Sequence, residues 1–274
     1  MRGEKMLVRF WGARGSFAVQ GKKYLGFGGA TSCASIEIDK NKLLIIDAGT
    51  GIKDLGYFLS RQKPKPEINL FLTHFHLDHI MGLPSFQPLY EEDTILNIYS
   101  PLSPASTRIL LDRLMGGSFF PLTFSRTASQ KKIYQLGKKM QLGEVIISSA
   151  PLPHPGGNLA LRFEKEYRSI VFATDAEPPE EKWEERVINL AWGATYLVGD
   201  AMFTPREYAQ GKKGRGHASW RAALKLAREA GCSHLVLSHW NPDHDDQMIR
   251  AIISRIRKKF FRVYGARPGW QINL

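Results

Sequence analysis

Hydrophobic and polar positions alternate along the first half of the chain in short blocks. Residues 7–11 read as a strand that runs into a glycine-rich loop at Gly12 and Gly15. Two apolar runs, 34–39 and 43–47, are separated by Lys40, Asn41 and Lys42, the punctuation of a hairpin. Residues 50–61 carry helical spacing at Ile52, Leu55 and 57–59, whereas 68–73 and 95–99 have the profile of short buried strands. A helix is predicted over 103–115, and strands over 145–149, 159–163, 169–174 and 235–238. Further helices are predicted over 180–190, 219–230 and 243–259, the second closed by Gly231 in the C-cap place. A strand-rich first half followed by alternating strands and helices predicts an α/β fold. Two sheets covered by helices accommodate it, and the pattern alone does not select that layout over other α/β architectures.

Composition narrows the class. At 274 residues the chain has room for one or two domains, and no linker, repeat or low-complexity tract divides it, so a single domain over 1–274 is expected. With 43% hydrophobic residues it can bury a full core without disulfides. Its two cysteines, Cys33 and Cys232, stand in no metal or redox spacing. Residues 1–17 are broken by Arg2, Glu4, Lys5, Arg9 and Arg14 and hold no apolar leader. No apolar run reaches membrane-spanning length, so a cytoplasmic protein with no membrane partner is expected. The formal charge of +12 would concentrate anionic substrates or nucleic acid, or it is simply a solvated surface. Part of the excess lies in Arg250, Arg255, Arg257, Lys258, Lys259 and Arg262, equally readable as the outer face of a terminal helix.

The densest chemistry is Thr73-His74-Phe75-His76-Leu77-Asp78-His79, directly after the apolar run 68–72. If the strand continues through it, His74 and His76 point to one side. If the chain then turns into a helix, Asp78 and His79 can face a second point nearby. Imidazole and carboxylate donors suit Zn²⁺, with Mn²⁺ or Fe²⁺ also compatible. His154, Asp175 and His239 each stand just past a predicted strand, where loops converge into sites in layered α/β folds.

This order, His-x-His-x-Asp-His, then a lone His, an Asp and a late His, resembles the metallo-β-lactamase superfamily over nearly the whole chain. The resemblance implies a four-layer αββα sandwich and two divalent metal ions. His74, His76 and His154 would hold one ion, Asp78, His79 and His239 the other, and Asp175 would bridge them. Asp47, in Ile45-Ile46-Asp47-Ala48-Gly49, is similar to the family's aspartate that orients a ligand imidazole, though a helix N-cap is the plain alternative.

Gly199-Asp200-Ala201-Met202-Phe203-Thr204 and Gly214-Arg215-Gly216-His217-Ala218-Ser219 resemble the tRNase Z and cyclic phosphodiesterase branch, in which a carboxylate and a histidine form a proton-donating pair. Asp200 stands where tRNase Z usually has Glu. His217 can equally be a helix cap. Arg14 is a weak candidate for a phosphate contact and otherwise a surface charge. Met115, Phe119, Phe120 and Phe124 can wall a base-stacking pocket or pack in the core. His234 and His244 are expected to be structural or exposed.

The resulting expectation is a hydrolase, specifically a phosphodiesterase that cleaves a cyclic nucleotide or similar small phosphodiester with a metal-bridging hydroxide. Its catalytic residues would be Asp78, His217 and Asp200. A tRNase Z-like endoribonuclease acting on RNA 3′ ends is the alternative, disfavoured by Asp200 and by the absence of a long basic, glycine-rich arm. A thioesterase or lactonase is the third reading. A homodimer is expected by resemblance only.

Overall fold

The computed structural model describes residues 5–260 and 262–274. The expected lack of an apolar leader over 1–17 therefore lies partly outside the described residues. Contacts group the chain into two compact units. The first comprises residues 5–12, Ala30–Leu136 and Pro268–Asn273; the second comprises Ala13–Gly29, Gly137–Arg267 and Leu274.

The first unit holds strands β1 (Leu7–Gly12), β2 (Cys33–Asp39), β3 (Lys42–Ile46), β4 (Glu67–Phe71), β5 (Ile95–Ser100) and β6 (Gln130–Gln135). Its helices are α1 (Ile52–Ser60), α2 (Leu77–Ile80) and α3 (Pro104–Leu114). The second unit holds β7 (Lys139–Leu142), β8 (Val145–Leu152), β9 (Asn158–Lys165), β10 (Arg168–Ala173), β11 (Tyr196–Asp200), β12 (His234–Ser238) and β13 (Val263–Gly265). Its helices are α4 (Glu185–Ala191), α5 (Pro205–Glu207), α6 (Trp220–Glu229) and α7 (Asp246–Arg257). The last strand, β14 (Gln271–Asn273), returns to the first unit and pairs with β1.

Each unit is built on one seven-stranded mixed sheet, ordered β14-β1-β2-β3-β4-β5-β6 in the first and β13-β12-β11-β10-β9-β8-β7 in the second. The expected hairpin is β2–β3, paired antiparallel; from β3 to β6 the pairing is parallel. In the second sheet β10, β11, β12 and β13 run parallel. Parallel strands are buried on both faces, which is why 43–46 and 235–237 read as unbroken apolar runs. The α/β fold class is as expected. Among the described residues no helix is long and apolar enough to cross a membrane.

Helix placement follows amphipathicity. On α7, Ile249, Ile252, Ile253 and Ile256 are buried, while Arg250, Arg255, Arg257 and Lys258 are exposed. That basic stretch is the solvated face of the helix. The core of the first unit joins Leu43, Ile45, Leu70, Leu96 and Ile98 of the sheet to Ile52, Leu55 and Leu59 of α1. Met115 and Phe124 are buried in it and Phe120 packs against it, so these side chains are core rather than a pocket wall; Phe119 is exposed.

Three expectations differ. The helix over 180–190 is shorter, because Glu180 and Glu181 take positive φ and the helix begins at Glu185. β6 and β7 escaped notice because they are edge strands with polar sequences, QKKIYQ and KMQL. β11 merges with the apolar segment before it and carries no turn signal stronger than Gly193. Ile45 is fully buried in β3, between β2 and β4. Ile45→Ala is expected to cost about 2–5 kcal/mol of unfolding free energy, read as a lower midpoint in urea denaturation with an unchanged slope.

Candidate active site

In the first unit the histidine-rich motif is not a continuation of β4. The strand ends at Phe71, and residues 72–76 form a loop that leads into α2. The cause is Asp47, which follows β3 in a left-handed conformation (φ 60°). Its Oδ1 accepts the Thr73 amide at 2.8 Å and the Thr73 hydroxyl at 3.0 Å. Its Oδ2 accepts Nδ1–H of His79 at 2.8 Å. The carboxylate thus pulls Thr73 out of the strand ladder. Because Nδ1 of His79 donates to Asp47, Nε2 carries the lone pair of that imidazole. His74 and His76 still come together, with ring centroids 4.7 Å apart, as do His74 and His79 at 4.2 Å. Asp78 and His79 sit in the single turn of α2 and are buried; His76 is exposed. Asp47 does not cap α1, whose N-cap is Gly51. Gly49 admits no side chain, since a Cβ there would lie 2.2 Å from the Asp78 carbonyl oxygen.

In the second unit, Asp175, Asp200 and His239 stand at the C-terminal ends of three neighbouring parallel strands, β10, β11 and β12. Asp175 (φ 57°) and His239 (φ 58°) are both left-handed, a conformation costing non-glycine residues about 1–3 kcal/mol and concentrated at functional sites. Nε2 of His239 lies 3.0 Å from Oδ1 of Asp175. Asp200 Oδ2 accepts the Asp175 amide at 3.0 Å and Nδ1–H of His217 at 2.9 Å, and Oδ1 accepts the Met202 amide at 2.7 Å. The His217 ring stacks on His239, with centroids 5.0 Å apart and planes 21° apart. One donor atom from each of Asp175, Asp200, His217 and His239 lies within 4.8 Å of the others, and all four residues are buried. His217 is not the cap of α6; that position belongs to Ser219. His154 donates through Nδ1 to the Gly216 carbonyl at 2.8 Å.

Arg14 requires correction. It is fully buried in the second unit and donates to the carbonyls of Gly28, Asn241 and His244 at 2.7–3.0 Å. Burial draws its pKa down, against the opposing pull of Tyr24, Asp246 and Asp245. It holds the loop after His239 rather than offering itself to a phosphate. His234 stacks on Tyr196, and His244 faces Glu207 at 2.8 Å; both are structural. Both cysteines are buried and free, and burial pushes their thiols up, Cys232 to about 11, which leaves them protonated. Glu177 stands in no recognisable motif of the sequence. Its partners, Tyr208, Gly214 and Gly216, lie more than thirty residues downstream and share no motif with it.

The Beta-lactamase superfamily domain family matches residues 43–240. The chain belongs to the metallo-β-lactamase superfamily. Within it the chain falls in the tRNase Z-like branch of hydrolases: ribonuclease Z from Lactococcus lactis subsp. lactis (strain IL1403) is 25% identical over 248 residues, covering 73% of this chain and 79% of that protein. Among solved structures, the metallo-β-lactamase fold protein YhfI from Bacillus subtilis superposes with a TM-score of 0.75 at 20% identity, covering 99% of this chain and 100% of that one. A diphosphatase of the PhnP family gives 0.72 at 16%, covering 98% of both. The metallo-β-lactamase fold implies divalent metal ions, and the donor sets fit them. Each unit buries carboxylates and imidazoles side by side, and the hydrogen bonds of His79 and His154 leave Nε2 as the donor nitrogen.

Replacing Arg14 tests its structural role. Arg14→Met strands three buried carbonyls and is expected to cost about 3 kcal/mol or more, at roughly 1 kcal/mol or more for each lost acceptor. Equilibrium unfolding reads this directly, and a loss under about 1 kcal/mol would overturn the structural role.

Proposed function

We propose that the chain is a two-metal phosphodiesterase. His74, His76 and His154 would hold one ion and Asp78, His79 and His239 the other, with Asp175 serving both. Such ions supply a water-derived nucleophile near neutral pH and offset charge on the phosphoryl oxygens. The protein's own part is proton delivery, and one observation carries it: the buried Asp200–His217 pair, bonded at 2.9 Å and stacked against His239. Asp200 accepts from Nδ1, so it orients the ring and leaves Nε2 to face the leaving group. His217 then donates its proton from Nε2 to the leaving alkoxide. A thioester or lactone carries no comparable demand on such a pair, which disfavours that reading.

The substrate proposed is a small phosphodiester such as a cyclic nucleotide, since the sequence carries no long basic arm to grip RNA. The second reading, RNA 3′-end processing, is favoured by the similarity to ribonuclease Z over 73% of the chain. Turnover of zinc- or manganese-loaded protein on 3′,5′-cyclic AMP and GMP, beside a precursor tRNA, separates the two. Asp175→Ala is expected to abolish whichever activity is found. Cleavage of the precursor alone would move the assignment to RNA.

His217→Ala is expected to keep its metal content and lose about 10²–10⁴-fold in kcat on an alkyl leaving group. A nitrophenolate leaving group needs less protonation and should suffer much less. Equal losses on both substrates would remove His217 from the role of general acid.

A further inference from the structure

Glu177 lies two residues beyond Asp175, and its carboxylate reaches the loop before α6. Oε1 accepts the Gly214 amide at 2.7 Å and the Tyr208 hydroxyl at 2.9 Å; Oε2 accepts the Gly216 amide at 2.8 Å. The Glu177 amide donates to the Pro153 carbonyl at 2.8 Å, immediately before His154. The circuit closes through His154, whose Nδ1–H donates to the Gly216 carbonyl. One residue therefore ties both the chain that carries His154 and the glycine whose carbonyl meets its ring. Ala218 N–H donates to the Ala176 carbonyl at 3.0 Å, which keeps the same two segments in register beside His217.

The loop depends on glycine where it meets the ring. Gly216 has φ 84°, and a Cβ there would lie 2.7 Å from Cε1 and Nδ1 of His154. A glycine in that conformation is not held there by local preference, because left-handed and right-handed backbone are about equally open to it. The Glu177 carboxylate anchors this residue by receiving its N–H, on the other side of the Cα from the carbonyl that meets the ring.

We propose that Glu177 is a positioning residue for His154: by anchoring Gly216, whose carbonyl accepts from Nδ1–H, and the segment that precedes His154, it holds the imidazole with Nε2 presented as a metal donor. The inference rests on the two-metal reading. Acceptors that orient a ligand histidine typically contribute about 10–100-fold to metal affinity. Glutamine at this position cannot replace Glu177, because its NH₂ group would face one of the two glycine amides, donor against donor.

The test is zinc binding by metal-free protein, measured by competition with a chromogenic chelator, together with the unfolding midpoint of each metal-free protein. Wild type is expected to bind two ions. Glu177→Gln is expected to bind one of them about tenfold to hundredfold more weakly and the other unchanged. In a His154→Ala background the same substitution should have no further effect on zinc, since its action runs through that ring. Gly216→Ala, which displaces the ring directly, should weaken the same ion and carries the test should Glu177→Gln not fold. Two ions at wild-type affinity in both variants would overturn the proposal, as would a Glu177→Gln loss that persists without His154. Wild-type protein that binds fewer than two ions would overturn the two-metal reading, and the role of Glu177 with it.

Discussion

The second unit turns on one buried carboxylate, Asp200. It accepts the amide of Asp175 at the end of β10, the amide of Met202 beyond its own strand and the Nδ1–H of His217 from the loop before α6. Ala201 N–H donates to the Ser238 carbonyl, which ties the same point to the end of β12. Three parallel strand ends and one loop are thereby held around a single charge. A buried carboxylate is tolerated only when its oxygens are hydrogen-bonded, and Asp200 accepts three donors. The positions of Asp175, His239 and His217 all depend on that satisfaction.

Asp47 does the corresponding work in the first unit. It stands after a strand with positive φ, and it takes the Thr73 amide and hydroxyl and the His79 imidazole. Each unit thus spends a carboxylate, and the strain of left-handed residues, on orienting histidines. Backbone strain of this kind persists only where surrounding bonds over-determine it. Both carboxylates are satisfied by hydrogen bonds from the protein, so the rings are held before any ligand arrives, an arrangement that limits the reorganisation a reaction would require.

Where sequence and structure part, the reason is usually tertiary. The strand through His74 and His76 was a fair reading of an apolar run followed by alternating polar residues, but the Asp47 carboxylate competes for Thr73 and ends the strand at Phe71. Arg14 looked like an exposed cation after a glycine turn. Three carbonyls brought together by the fold make it a buried tie. The edge strands β6 and β7 lack apolar faces because each has a partner on one side only, so periodicity carries little signal there.

The sequence by itself determined the α/β class, the helices α1, α3, α6 and α7 and the set of chemically apt residues, because burial imposes a local period and metal-type donors are rare in such density. It also carried the resemblance to the superfamily, since the order of motifs along a chain survives when overall identity is low. Only the tertiary structure decided which nitrogen of each histidine is committed. That choice depends on acceptors far away in sequence: Asp47 for His79, Gly216 for His154 and Asp200 for His217. The same holds for Glu177, whose role exists only because two glycine amides 37 and 39 residues away converge on it. A hydrogen bond between distant segments leaves no periodic trace in the sequence, whereas a buried face does.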